Sequence, residues 1–212
     1  LVGSEMCIRD SVYFDYKSPY AYLAKDPARG LAAEFGLAIE WRPYTLRIPE
    51  YLGSLDNRND HQWRRVRYSY ADCRRIANER GLTVLGPQRI FDSRVGHIGA
   101  LYAQAHGVFD AYHDLVFERF FKRQLDIDVV DEVQAALAEA GAPGLEDFPA
   151  FVDGEGDVLY TNMLDEAEAA GIFGVPTFVV GDEFYWGGDR IEMTRRALAA
   201  ALYPAGTRKP TG

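Results

Sequence analysis

Cysteine is scarce in this 212-residue chain, which contains two, Cys7 and Cys73. They lie far apart and form neither a C-x-x-C pair nor a metal-ligand spacing, so the sequence indicates no disulfide scaffold and no zinc site. Cys7 falls within residues 1–10, which lack periodicity and a signal-peptide pattern and are expected to lie outside the fold. Cys73 falls in a helical pattern, where the expected role is a small apolar core residue. This cysteine usage is typical of a reducing compartment, and we predict a cytoplasmic location.

Other missing patterns exclude several classes of function. No apolar run approaches the roughly 18 residues of a membrane-spanning helix, so no membrane partner is expected. The net charge is -9 and no long basic run occurs, which argues against nucleic acid as a partner. No glycine-rich phosphate-binding motif occurs, so nucleotide binding has no signal. No metal site is expected, because the histidines form no H-E-x-x-H pattern and have no cysteine nearby; they are His61, His97, His106 and His113.

The order of periodic segments predicts an α/β fold. Residues 12–16 are an aromatic, β-branched strand candidate, and Ser18-Pro19 is a typical helix start. The following helix has an interruption at Pro27, which should kink or split it. Residues 37–44 alternate apolar and polar side chains, which predicts a second strand and hence a βαβ unit.

Strand signals vanish from about residue 56 to 171, where helical patterns follow one another. Strands return at 177–180 and 183–186, joined by a Gly181-Asp182 turn, and a final helix covers 190–202. This order predicts a thioredoxin-like fold, βαβ…ββα, with an all-helical domain inserted between its halves. We assign residues 12–55 plus 172–203 to the thioredoxin-like domain, 56–171 to the insertion, and 1–11 and 204–212 to tails.

The tetrapeptide Ser18-Pro19-Tyr20-Ala21 occupies the place where a thioredoxin-type redox protein carries Cys-Pro-x-Cys. Ser18 and Ala21 leave no cysteine pair, which argues against a dithiol oxidoreductase. At a strand end and helix start, the Ser18 hydroxyl lies beside free backbone N–H groups, where a thiolate would be stabilised. Ser18 can equally be a plain N-cap. A serine hydrolase is not indicated, because no G-x-S-x-G elbow surrounds it.

Two later segments contain further candidate site residues. A proline before an apolar strand, as at Val175-Pro176, is compatible with a cis bond, which would leave the Val175 backbone free to pair with an extended peptide. The alternative is an ordinary strand-start proline. Residues 184–190 (FYWGGDR) follow, where Asp189 is either an N-cap with Glu192 three residues on or an acceptor for an ammonium group.

Three stretches resemble the 2-hydroxychromene-2-carboxylate isomerases, relatives of kappa-class glutathione transferases within the DsbA-like thioredoxin superfamily. They are residues 14–24 (FDYKSPYAYLA), 171–179 (GIFGVPTFV) and 184–191 (FYWGGDRI). The resemblance spans residues 12–202 and implies a glutathione-dependent isomerase, often a homodimer. The thiolate of bound glutathione would add to an aromatic carboxylate, let a double bond rotate, and leave.

The resemblance also implies roles for individual residues. Ser18 would hold the glutathione sulfur, Val175 the cysteinyl backbone, Pro176 would be the cis proline, and Gly188 and Asp189 would lie at the γ-glutamyl end. The family's Gly-Asn segment after the second strand has no direct counterpart, and Asn57 or Asn59 is expected to replace it. The candidates for the substrate wall are Tyr20, Tyr44, Trp63 and Trp186, together with Arg64, Arg65, Arg67, Arg74 and Arg75, which can also be a solvated helix face.

Two rival functions remain open at the level of sequence. One is a glutathione transferase with another electrophilic substrate. The other is a non-catalytic thioredoxin-like module that binds extended peptide along the Pro176 edge. A deep cleft lined by Tyr and Arg favours an enzyme, whereas a shallow groove favours the binding module.

Overall fold

The computed structural model describes residues 11–203, and of residues 51 and 55 the backbone alone. Four strands form one mixed sheet in the order β2-β1-β3-β4. β1 pairs with β2 in parallel and with β3 antiparallel, and β3 and β4 form an antiparallel hairpin. The strands are β1 (Ser11–Phe14), β2 (Glu40–Pro43), β3 (Thr177–Val180) and β4 (Glu183–Trp186).

The helices follow the predicted order. α1 (Pro19–Phe35) connects β1 to β2, and α9 (Ile191–Leu202) follows β4. A block of helices lies between β2 and β3, and it comprises α2 (Ile48–Leu52), α3 (Asp60–Glu79), α4 (Arg94–Ala105), α5 (Phe109–Phe121), α6 (Val130–Glu139), α7 (Phe148–Asp153) and α8 (Glu155–Ala169). The predicted βαβ…ββα order and thioredoxin-like α/β architecture are confirmed. None of the helices described for residues 11–203 is long and apolar enough to cross a membrane.

The sheet and the inserted helices share one hydrophobic core. Phe14 of β1 lies edge-on to His113 of α5, with ring centres 4.6 Å apart. Tyr22 of α1 stacks on Phe117 and Phe121 of the same helix at 5.4 and 5.3 Å. All five side chains are buried. The division into two domains at residues 56 and 171 stays a prediction.

The first strand begins at Ser11 and ends at Phe14, so it is displaced from the predicted 12–16. It ends because Asp15 forms a turn: its carboxylate accepts a hydrogen bond from the Lys17 N–H, and its C=O accepts one from the Ser18 N–H. This turn places Ser18 at the start of α1.

The predicted split at Pro27 is wrong, because α1 runs through it from Pro19 to Phe35, and the alternative of a kink stays a prediction. Pro27 has no N–H, so the C=O of Leu23, four residues earlier, lacks its usual helical partner. Arg80 replaces that donor, with its Nη1 2.6 Å from the Leu23 oxygen. A side chain just beyond α3 thus compensates for the proline in α1.

The predicted N-cap role of Asp189 is also wrong. A short 3-10 turn, Gly188–Arg190, precedes α9, and Arg190 is the N-cap residue without a side-chain cap bond. The Asp189 carboxylate instead accepts a hydrogen bond from Arg190 Nη1 at 2.6 Å. Both side chains are exposed on the surface.

Candidate active site

Ser18 caps the N-terminus of α1. Its Oγ accepts a hydrogen bond from the Ala21 N–H at 3.2 Å, and Ser18 as a whole is buried. Within residues 11–203 the hydroxyl donates no hydrogen bond, so its proton is available to a ligand atom. The predicted N-cap is confirmed, and the thiolate-binding role stays a prediction.

The Val175–Pro176 peptide bond is cis, which the sequence allows and the family resemblance implies. Tyr13 of β1 pairs with Thr177 of β3, so residues 175–176 continue alongside the turn that leads into α1. Pro176 C=O accepts a hydrogen bond from the Gly187 N–H at 2.9 Å. Neither the N–H nor the C=O of Val175 is hydrogen-bonded in the described part of the chain. Because backbone polar groups of a nearly buried residue require partners, Val175 is ready to pair with a ligand backbone.

Six of the predicted site residues line one cavity of about 670 Å³, which we call the proline cavity. They are Tyr20, Val175, Pro176, Trp186, Gly188 and Asp189. Its charged lining residues are of both signs: Asp72, Glu79 and Asp189 are acidic, and Arg80 and Arg190 are basic. This mixture suits a ligand that carries both ammonium and carboxylate groups.

Glycines let the walls of the proline cavity approach each other. A Cβ at Gly174 would lie 2.7 Å from Trp186 Nε1, so only glycine admits this indole beside the cis peptide. Gly187 has a φ of +114°, which side-chain-bearing residues rarely adopt. The Trp186 side chain packs edge-on to Phe173 at 4.9 Å and remains about half exposed.

A second cavity of about 270 Å³ opens on the other side of the motif, and we call it the arginine cavity. Its cations are Lys17, Arg58 and Arg89, and none of the described residues that line it is acidic. Trp63, Tyr70, Phe91 and Phe120 supply aromatic walls. Lys17 and Tyr20 each line one cavity, so Ser18, which lines neither, lies in the segment between them.

Asp15 fixes the turn before Ser18. Its carboxylate accepts hydrogen bonds from the N–H groups of Lys17 (3.0 Å) and Leu46 (2.8 Å) and from the Ser93 hydroxyl (2.5 Å). Burial by itself would raise the pKa of Asp15, but the Lys17 cation, His97 and Ser93 outweigh it and hold the pKa well below its usual value. Asp15 is therefore a buried carboxylate anion.

The Tyr20 hydroxyl and the Cys73 thiol are both protonated. Burial raises the pKa of Tyr20, and the neighbouring Cys73 and Asp72 add to that effect. Its proton is donated to Asp72 Oδ2 at 3.0 Å. Burial likewise raises the pKa of the Cys73 thiol to about 12. Cys73 is fully buried, so it is a core residue as expected, and Tyr20 is a wall of the cavity rather than a proton acceptor.

Several predicted residues lie apart from the proline cavity. Trp63 lines the arginine cavity, and Tyr44 is buried in the core. Asn59 caps α3 in a reciprocal capping box with Gln62, and Asn57 donates to Ser54 Oγ. The arginine group predicted as a substrate wall is exposed along α3 and lines neither cavity, so it is a solvated helix face: Arg64, Arg65, Arg67, Arg74 and Arg75.

Among the cavity residues that the sequence-based site did not include are Lys17, Arg58 and Arg80. Lys17 directly precedes Ser18 in the first motif, and this position is a sequence feature from which its place at the site could have been predicted. Arg58 and Arg80 flank the charged helix α3, and no local sequence pattern predicts that they line a cavity. Cys7 lies outside the described residues. Within residues 11–203, no group of three or more His, Cys, Asp and Glu is arranged to hold a metal ion.

Comparison with known proteins agrees with the geometry. A family model for the DSBA-like thioredoxin domain matches residues 11–199. The chain belongs to the DsbA-like thioredoxin family. A 2-hydroxychromene-2-carboxylate isomerase of Pseudomonas putida is 30% identical, and the match covers 88% of this chain and 92% of that relative. The resemblance to these isomerases is thereby confirmed.

Solved structures place this member of the DsbA-like family among the same relatives. A 2-hydroxychromene-2-carboxylate isomerase superposes with a TM-score of 0.75 at 27% identity, covering 91% of this chain and 95% of that one. A probable DsbA oxidoreductase from Streptomyces coelicolor has the same TM-score at 18% identity, covering 97% and 93%. Because its identity to this chain is low, the second match shows only that the two proteins share a fold.

Proposed function

We propose that this protein is a glutathione-dependent isomerase of small aromatic carboxylates, similar to 2-hydroxychromene-2-carboxylate isomerase. The isomerase relatives support the reaction class. One observation carries the glutathione part: the unpaired backbone of Val175 lies at the wall of a cavity that begins beside the capped start of α1. A peptide thiol bound along Val175 would direct its sulfur towards Ser18.

The residues of the proline cavity fit glutathione. An extended tripeptide can form two backbone hydrogen bonds with Val175, as a short added strand does. Glutathione carries two carboxylates and one ammonium group, and the cavity offers Arg80 and Arg190 for the former. Asp72, Glu79 and Asp189 are available for the latter. The volume of about 670 Å³ lies within the usual range for a small-molecule site, which favours an enzyme over a peptide-binding groove.

Bound glutathione would supply a thiol nucleophile to the reaction. Ser18 would donate its hydroxyl hydrogen to the sulfur, because that hydrogen has no acceptor among the described residues. The free N–H groups at the start of the 17-residue α1 would add positive potential there. Asp15 would keep residues 15–18 in place without contacting the ligand. The homodimer and the cytoplasmic location stay predictions.

Calorimetry with glutathione tests this proposal in the wild type and in Ser18→Gly. Glycine is chosen because it replaces a serine N-cap at a loss of only a few tenths of a kcal/mol, so α1 is retained. We expect the variant to bind glutathione but to lose the ultraviolet absorbance of the bound thiolate, since the hydroxyl donor is gone. Ser69→Ala, whose hydroxyl bonds to Arg65 C=O within α3, is the matched control and should retain both signals.

Absence of glutathione binding to the wild type would reject the proposal. Binding without a thiolate signal in the wild type would favour the peptide-binding module. A thiolate signal with turnover of a chloronitroaromatic electrophile, but no isomerisation of aromatic cis-enone acids, would favour the transferase.

A further inference from the structure

We propose that His97 of α4 is a positioning residue for the site, because its Nε2–H holds the Asp15 carboxylate, which in turn fixes the turn before Ser18. Thr45 and Tyr160 keep the His97 ring in the tautomer that this requires. The arrangement is independent of any ligand. Its effect on the thiolate of bound glutathione rests on the proposed function.

The His97 ring is completely buried between two polar partners. Its Nδ1 lies 3.2 Å from Thr45 Oγ1, and its Nε2 lies 3.4 Å from Asp15 Oδ1. The second distance is long for a hydrogen bond, but no other described residue offers Nε2 a partner. The carboxylate of Asp15 is therefore the group to which an Nε2–H would point.

The hydroxyl of Tyr160 decides which nitrogen of His97 has the hydrogen. Burial raises the pKa of Tyr160 to about 12, so the hydroxyl keeps its proton at neutral pH. Within residues 11–203 its one partner is Thr45 Oγ1, at 2.5 Å, so Tyr160 donates to Thr45. Thr45 then donates its own hydrogen to His97 Nδ1. Because an accepting nitrogen of a neutral imidazole has no hydrogen, the hydrogen of His97 is on Nε2.

The opposite tautomer would leave two buried groups without a favourable contact. With the hydrogen on Nδ1, the Nε2 lone pair would face the Asp15 carboxylate at 3.4 Å, and two acceptors would oppose each other. Thr45 would have to accept from His97, and the Tyr160 proton would have no acceptor among the described residues. Buried polar groups without partners are costly, which favours the Nε2–H form.

His97 acts on the oxygen of Asp15 that fixes the turn. Oδ1 also accepts hydrogen bonds from the Ser93 hydroxyl at 2.5 Å and from the Lys17 N–H at 3.0 Å. The backbone C=O of Asp15 accepts the Ser18 N–H at 2.9 Å. Without His97, more of the negative charge of Asp15 would be uncompensated three residues before Ser18, where it would destabilise a thiolate.

The other titratable groups packed around His97 have partners of their own. The Tyr16 ring lies 5.6 Å from the His97 ring, and its hydroxyl lies 3.2 Å from His113 Nδ1. Burial lowers the pKa of His113, so that ring is neutral at neutral pH. The charged side chains nearest to these groups are also paired: Lys17, Asp92, Arg94 and Asp157.

Nitrogen-15 NMR of the imidazole rings tests the tautomer in the protein without ligand. We expect an Nε2–H ring at neutral pH for His97, whose signals are identified by their loss in His97→Gln. Thr45→Val removes the hydroxyl at nearly constant volume and should shift the Nδ1 signal, since the donor to Nδ1 is gone. Thr45→Ser retains a hydroxyl and should restore the wild-type signal.

A thiol introduced by Ser18→Cys tests the effect on charge, again without glutathione. Its thiolate absorbance is titrated with pH, and the same titration without Ser18→Cys is subtracted to remove the other thiols. We expect His97→Leu to shift the midpoint upwards by about 0.5–1 pH unit, because Asp15 is less compensated. His97→Gln, whose amide N–H can reach Asp15, should shift it less. His61→Leu, an exposed histidine of α3, is the matched control and should leave the midpoint unchanged.

An Nδ1–H ring or a doubly protonated ring at His97 would overturn the inference, as would an unchanged midpoint in folded Ser18→Cys/His97→Leu. Should that protein fail to fold, Ser18→Cys/Thr45→Val takes its place, and an unchanged midpoint there would overturn it. An Nε2–H ring and a shifted midpoint, together with no glutathione binding to the wild type, would keep this inference and reject the proposed function. Glutathione binding with an unchanged midpoint would do the reverse.

Discussion

At the scale of the residue, Asp15 is the side chain on which the site depends most. It is completely buried, and its hydrogen bonds join the turn before Ser18 to Leu46 and to Ser93. We expect Asp15→Asn to lower the free energy of unfolding by about 3 kcal/mol, because charge-assisted hydrogen bonds are lost and Lys17 loses its counter-ion. Urea denaturation at neutral pH measures this loss.

The Asp15 carboxylate also makes the stability of the protein depend on pH, and the direction of its pKa shift sets the sign of that dependence. The pKa of Asp15 is lower in the folded protein than its unfolded value of about 3.9. The contribution of the Asp15 carboxylate to the free energy of unfolding is therefore complete above its pKa in the unfolded chain. This contribution is lost as the pH falls towards its pKa in the folded protein. The stability of Asp15→Asn should fall less steeply than that of the wild type below about pH 4. Asp165→Asn, an exposed aspartate of α8, should follow the wild type; if Asp15→Asn did too, Asp15 would not hold this charge.

The structural roles of individual residues could be predicted from the sequence only in part. The Ser18 cap and the Val175–Pro176 bond follow from local rules on helix starts and proline, and both are present. Tyr44 was chosen for its aromatic type, but it follows the end of β2 and is buried in the core, and no local pattern shows which side chains after a strand are buried by tertiary packing. Arg58 and Lys17 meet at one cavity from positions 41 residues apart, so their convergence depends on tertiary packing.

At the scale of the element, glycine spacing decides how closely α4 packs. A Cβ at Gly99 would lie 2.2 Å from the Tyr112 hydroxyl of α5 and 2.7 Å from Val133 of α6. Both neighbours are fully buried and cannot move freely. We expect Gly99→Ala to destabilise the protein by about 1–3 kcal/mol in thermal or urea unfolding, despite the higher helix propensity of alanine.

Gly30 in α1 is the matched control, because a Cβ there meets no atom within 4 Å. Gly30→Ala should therefore stabilise the protein by about 0.4–1 kcal/mol. If both substitutions changed stability in the same direction, close packing at Gly99 would not be the cause. Helix positions were predictable here from periodicity, whereas the depth of contact between α4 and its neighbours was not, since it rests on the absence of a single side chain.

At the scale of the whole molecule, the shared core couples the sheet to the inserted helices. Phe117 of α5 is fully buried against Phe14, Tyr16 and Tyr22 from the first βα segment. We expect a single unfolding transition in urea, with coincident far- and near-ultraviolet circular dichroism, since neither part keeps its core alone. Phe117→Ala should shift that one transition by about 3–5 kcal/mol.

Two separate transitions, of which Phe117→Ala shifted one, would instead support an independent helical domain at residues 56–171. Tyr68→Ala, an exposed aromatic of α3, is the control and should leave the curve nearly unchanged. The order of elements was correct from the sequence, because strand and helix periodicities alternate clearly. Whether the insertion shares a core with the sheet could not be read from periodicity, which identifies buried faces but not their partners.

The hydrogen bond from Arg80 to the Leu23 carbonyl connects the missing N–H of Pro27 in α1 to the charge of the proline cavity. As long as residue 27 is proline, the guanidinium is engaged by α1 at the wall of the proline cavity. Any other residue at position 27 would restore the helical N–H donor, so that Arg80 Nη1 would join the other guanidinium nitrogens in facing an incoming anion. A substitution of Pro27 would thus change how strongly the proline cavity binds acidic compounds without changing a residue that binds them. Mutations within α1 can in this way alter the ligand specificity of the protein.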